Sequence, residues 1–166
     1  MADTTYLPKV YKKNGGDVEV VASGGEIQIE SGGLITDQVN PLVHNLRTRL
    51  TIAQINAGAT LLAAIAGKSY RITSCHAIAY GGAAGAVTTV DVKGTQSASV
   101  VKLVAFAQAS LTQSTVLKMG GSGATVLADG ASYTACDVNT AITVAITGSN
   151  VTTATGIDFI LGYTIE

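Results

Sequence analysis

The chain is poor in most of the residue types that carry chemistry. It has no Trp, two Phe and six Tyr in 166 residues, so aromatics make up only 5%. Carbohydrate sites usually present aromatic platforms, which argues against a sugar-binding sandwich, and a small hydrolase finds no better support. There are two His and two Cys. Cys75 and Cys136 are far apart and form no C-x-x-C pair, so they predict buried free thiols rather than a metal knuckle or redox dithiol. Charged residues are only 13%, with ten Lys and Arg against eleven Asp and Glu. That balance provides no electropositive field for a polynucleotide partner. The longest apolar stretch, around Leu61 to Ala66, is far below the ~20 residues that cross a bilayer, so no membrane partner is expected. Met1-Ala-Asp-Thr-Thr-Tyr6 lacks the basic start and apolar core of a secretory signal, so the chain is expected to stay in the compartment where it is made.

Candidate active-site groups are dispersed. Cys75 and His76 are adjacent in a probable strand and so point to opposite faces, which excludes a direct Cys/His pair. His76 reads as a structural or surface residue, and His44, in a linker after Pro41, as an exposed one. Asp91, Asp129, Asp137 and Asp158 show no paired-acid spacing, and several sit beside turns where Asp caps backbone. Asp137-Val-Asn139 supplies too few oxygens for Ca²⁺. Gly81-Gly-Ala-Ala-Gly85 leads into a strand-like run where a phosphate-binding helix should start, so it reads as a hairpin loop. The chain is thus expected to be no enzyme and to use no metal or cofactor.

What is abundant is Gly, with 19 residues, and small apolar residues. Eleven of the 21 charges fall in residues 1–49. A polar segment therefore precedes an Ala-, Val-, Thr- and Gly-rich body, with the change near Asn40-Pro41. The expected division is an arm at 1–46 and a body at 47–166. In the arm, Gly-Gly pairs at 15/16, 24/25 and 32/33 punctuate Asp17-Val-Glu-Val-Val21 and Glu26-Ile-Gln-Ile-Glu30, alternating runs that predict short strands with tight reversals. Such strands offer only Val18, Val20, Ile27, Ile29 and Leu34 to a core, and a two-stranded ribbon alone is marginal in water. Copies in a symmetric oligomer could cover that face. The competing reading folds the ribbon back on its own body.

The body predicts one short helix, capped at Thr51 and stopped at Gly58, with Ile52 and Ile55 on one face. Strands are predicted at 60–65, 69–80, 87–93, 99–107, 124–127, 141–147 and 156–165, while 111–119 is ambiguous between strand and helix. The fold class is mainly β: an extended arm with short Gly-Gly-punctuated strands, then a jelly-roll-like β-sandwich with one short helix.

Tyr6-Leu-Pro-Lys-Val-Tyr-Lys-Lys13, the Ser-Gly-Gly repeats, Ala57-Gly-Ala-Thr-Leu-Leu62, Gly67-Lys-Ser-Tyr-Arg-Ile-Thr73, Ala109-Ser-Leu-Thr-Gln-Ser114, Val126-Leu-Ala-Asp-Gly-Ala131 and Cys136-Asp-Val-Asn-Thr-Ala-Ile-Thr-Val144 resemble tailed-bacteriophage head decoration, or cement, proteins over nearly the whole chain. The resemblance implies a homotrimer on the outer surface of the virion shell, bound to the major capsid protein, with no enzymatic role. Within it, Tyr6, Leu7, Val10 and Tyr11 are expected as shell anchors, because apolar side chains in a polar arm are costly to leave bare. Lys12 and Lys13 would guide encounter. Val18, Val20, Ile27, Ile29 and Leu34 would form the trimer contact. A phage fibre or spike protein, with a receptor- or glycan-binding body, is the alternative.

Overall fold

A computed structural model describes residues 10–13, 18–21, 25, 42–125 and 133–166. The chain divides into two units, Met1–Leu34 and Ile35–Glu166. In the first, β1 (Val10–Lys13) and β2 (Val18–Val21) pair antiparallel. The predicted strand at 17–21 thus exists, and its partner is the stretch that sequence assigns to the extended arm. The predicted strand at 26–30 lies outside the described residues.

The second unit begins its strands with β3 (His44–Thr51), followed by helix α1 (Ile52–Ala57) and β4 (Thr60–Leu62). Then come β5 (Tyr70–Tyr80), β6 (Gly85–Gln96), β7 (Ser99–Ala107), β8 (Leu117–Lys118), β9 (Ala124–Thr125), β10 (Ile142–Thr152) and β11 (Gly156–Ile165). They form a five-stranded sheet ordered β4-β10-β6-β7-β9 and a four-stranded sheet ordered β3-β11-β5-β8. With the two-residue β9 set aside, every connection between successive strands switches sheet except the β6–β7 hairpin. The first and last strands, β3 and β11, lie side by side. This is the strand order of a jelly roll, so the sandwich expectation holds.

The period-2 pattern explains the layers. On β11, Ile157, Phe159 and Leu161 face inward; on β6, Val90 and Val92 do, joined by Val104 and Phe106 of β7 and Ile142 and Val144 of β10, all buried. Phe106 and Phe159 meet across the layers with centroids 6.5 Å apart. The rest of the interior is thin: Ala77, Ala79 and Cys75 line β5, and Gly94 leaves room that Cys136 fills, since a Cβ there would overlap its Sγ. Both cysteines are buried and free, as expected. Burial pushes the Cys75 thiol up to about 12 and raises Cys136 as well.

The short helix forms where its caps are. Thr51 Oγ1 accepts from Gln54 N–H, Gln54 Oε1 accepts from Thr51 N–H at 2.9 Å, and Gly58 at φ 83° donates to Ile55 O. Ile55 is fully buried and Ile52 half-buried.

One expectation needs correction. His44 is no linker residue: β3 starts there, inside the segment that charge counting assigns to the arm, and its ring stacks on Tyr163 at 5.4 Å. Exposed charges on one face of an edge strand mimic a polar linker when charges are merely counted. The ambiguous 111–119 stretch contains the two-residue strand β8, which pairs with β5.

Candidate interaction surface

In the N-terminal unit the register sets Val10 opposite Val21, Tyr11 opposite Val20, Lys12 opposite Glu19 and Lys13 opposite Val18. Residues expected at the shell and residues expected at the trimer contact are therefore cross-strand neighbours in one ribbon. Tyr6, Leu7, Ile27, Ile29 and Leu34 lie outside the described residues.

On the second unit the outward face of the four-stranded sheet is built from alternate residues. The register aligns Arg47, Ile160, His76 and Lys118 in one row across β3, β11, β5 and β8, with Arg49, Asp158 and Ile78 in the next and Thr51, Gly156 and Tyr80 beyond it. Asp158 anchors this face. Arg49 donates from Nε to Oδ1 at 2.7 Å and from Nη2 to Oδ2 at 2.8 Å, and Arg47 Nη2 donates to Oδ2 at 2.8 Å. The Arg49 hydrogen bonds, working against the cost of burial and helped by Arg47, hold the carboxyl down at about 2. Two guanidiniums on one carboxylate leave a net charge of +1. Both are largely exposed, at 66% and 58% of their side-chain surface, against 8% for Asp158.

Gly156 makes the arrangement possible. A Cβ there would overlap Leu50 O and the Tyr80 ring, so only Gly lets Tyr80 lie across the strand, where the Arg49 guanidinium packs 4.4 Å above its ring. In the middle of this basic face Ile160 remains 39% exposed. An apolar centre among arginines is the composition of a protein-docking surface.

The outward face of the five-stranded sheet treats its acid differently. Asp91 has Ala145 and Ala105 as register partners and is wholly buried between them. Lys102 Nζ lies 3.0 Å from Asp91 Oδ2 and donates to Thr147 Oγ1, which donates to the same carboxylate oxygen at 2.7 Å. Asp91 is thus a structural ion pair, and Asp158 the centre of a charged surface. Sequence spacing missed both because only the strand register brings the partners together, across 111 and 109 positions for Asp158 and across the β6–β7 hairpin for Asp91. Of the other acids, Asp137 does cap a turn: Ser97 and Ala98, both at positive φ, donate their N–H groups to its two carboxylate oxygens at 3.0 and 2.7 Å. Asp129 lies outside the described residues. His76 sits on the face opposite Cys75, half-buried.

At the β6–β7 turn end, three large side chains are exposed: Val100, Tyr133 and Val138. Arg71 pairs with Glu166 through two hydrogen bonds and also donates to Tyr133 O, at φ 62°. Tyr133 stands exposed in a turn. Among the described residues no group of three or more His, Cys, Asp or Glu could hold a metal ion, and no helix is long and apolar enough to cross a membrane. No family model, no curated protein and no solved structure matches this chain.

Proposed function

We propose that this chain is a structural protein of a tailed-phage head: a homotrimeric decoration or cement protein that binds the outside of the shell and stabilises the lattice of the major capsid protein. The observation that carries the reading is the division of the chain into a small N-terminal unit, described as a two-stranded ribbon, and a jelly roll with its own packed interior. The ribbon is too small to be stable unaided, and three copies closing on one another would supply its cover.

Function then follows from multivalency. Three arms acting from one rigid assembly raise avidity by about 10² to 10⁴ over single weak contacts. A ligand that binds only the assembled lattice stabilises that lattice by mass action, which resists the outward push of packaged DNA. Tyr6, Leu7, Val10 and Tyr11 serve as shell anchors, with Lys12 and Lys13 guiding approach. Val18, Val20, Ile27, Ile29 and Leu34 serve the trimer.

The test is co-sedimentation with expanded phage heads. Intact protein is expected to saturate the heads, and deletion of residues 1–13 to abolish occupancy; unchanged occupancy would remove the anchor assignment. The fibre or spike reading draws on the exposed Val100, Tyr133 and Val138 at one end of the body. It predicts binding to host cells and none to heads.

A further inference from the structure

Among the described residues the sandwich has four sheet edges, and three are short. The five-stranded sheet ends in β4, with three residues, and β9, with two; the four-stranded sheet ends in β8, with two, and in β3, with eight. Among the described residues β3 pairs with β11 alone. Exposed strands are normally protected by shortness, a bulge, a Pro or outward charges. Here the β3–β11 register runs from Thr51 to His44 without a shift, and no Pro interrupts it. Its two arginines are turned back onto Asp158 of β11, away from the open edge. Among the described residues, the backbone N–H and C=O groups of Asn45, Arg47 and Arg49 thus have no cross-strand partner, along roughly 14 Å, while the Thr51 N–H is taken by Gln54 Oε1.

The side chains of β3 state what such a strand would meet. On the outward face stand Asn45, Arg47, Arg49 and Thr51, all exposed; on the inward face His44, Leu46 and Thr48 are half-buried and Leu50 is buried. A strand added alongside would set its outward residues against two guanidiniums that share one carboxylate, and its inward residues against the uncovered flank of Leu46. Lys118 and His76 extend the basic row across the sheet. A second copy adding its own β3 would bring the arginine rows together, and like charges directly opposite destabilise a strand pair.

We propose that the free edge of β3 is a strand-addition site for an extended segment of a partner protein that alternates carboxylate and aliphatic side chains. Its carboxylates lie beside Arg47 and Arg49, its aliphatic residues complete the cover of Leu46, and main-chain hydrogen bonds supply the common affinity. The biological setting, a segment of the shell protein, rests on the decoration reading, but the site itself rests on the body alone.

The experiment is a titration of the intact, nitrogen-15-labelled protein with a synthetic octapeptide of alternating glutamate and valine, beside its lysine–valine counterpart. Amide shifts and exchange protection are expected along His44–Thr51 and on neighbouring β11. Affinity is expected to fall about tenfold between about 50 and 500 mM salt, with no response to the lysine peptide. Arg47→Glu, which leaves the Arg49–Asp158 pair in place, should weaken the glutamate peptide about tenfold and admit the lysine peptide. Equal binding of both peptides to the unmutated protein, shifts confined to other strands, or β3 protection that grows with protein concentration alone would overturn the proposal. Head binding by intact protein alongside a failed titration would sink the edge site and leave the decoration reading standing; a successful titration with no head binding would do the reverse.

Discussion

The two units solve the same problem with very different means. The jelly roll buries two inward-facing layers against each other, closes most of its edges with strands of two or three residues, and neutralises its outward acids with cations from neighbouring strands. The N-terminal ribbon pairs four residues with four. A sheet needs a second layer before backbone pairing becomes stable; the second unit carries its own, and in the proposed reading the first takes its layer from other copies. Interior substitutions in the body should therefore change stability and leave assembly alone, whereas substitutions in the ribbon should do the opposite.

The largest stability effect should come from the body's buried ion pair. Lys102→Met leaves the Asp91 carboxylate buried without its cation, and urea unfolding should show a loss of about 3 kcal/mol. Next is Gly156→Ala, where the new methyl meets backbone as well as the Tyr80 ring. About 2 kcal/mol should be lost, together with the Arg49–Tyr80 stacking, which tyrosine fluorescence would report. Asp137→Ala removes the acceptor for two turn amides and should cost about 1 kcal/mol by thermal denaturation. Ser97→Asn with Ala98→Gly should restore much of it, because these residues accept positive φ at low cost.

Acid should act on the same body. The Asp158 carboxyl is held well below its unfolded value, so its contribution is present above the ordinary carboxylate range and is lost as pH falls through about 2. Urea midpoints between pH 5 and 2 should decline for the unmutated protein and decline less for Arg49→Met. Smallest for the body is Val20→Asp in the ribbon. The thermal transition of the jelly roll should move by no more than about 0.5 kcal/mol, while sedimentation should report loss of assembly.

Much of the body was legible because its strands obey a strict alternation. Val90 and Val92, or Ile157, Phe159 and Leu161, announce an inward face, and the helix was legible from its caps at Thr51 and Gly58. β3 was hidden because its signal is that of an edge: Arg47, Arg49 and Asn45 carry the polar half of the pattern, and a boundary drawn between 46 and 47 cuts the strand in two. The Arg47–Asp158–Arg49 centre was illegible for a different reason. Asp158 lies 111 and 109 positions from its two partners, and only the β3–β11 register brings them together. Asp91 and Lys102 are close in sequence, yet their meeting depends on the β6–β7 hairpin and on two flanking alanines that no spacing rule singles out. The anchor and trimer residues were named from apolar side chains in polar surroundings, which says that they need cover and leaves open what provides it.

The claim that the ribbon takes its cover from other copies is tested most directly by the mass of the intact chain in solution, measured by light scattering over a range of concentrations. The account predicts three times 16.8 kDa, held on dilution. A mass of 16.8 kDa at every concentration would contradict it.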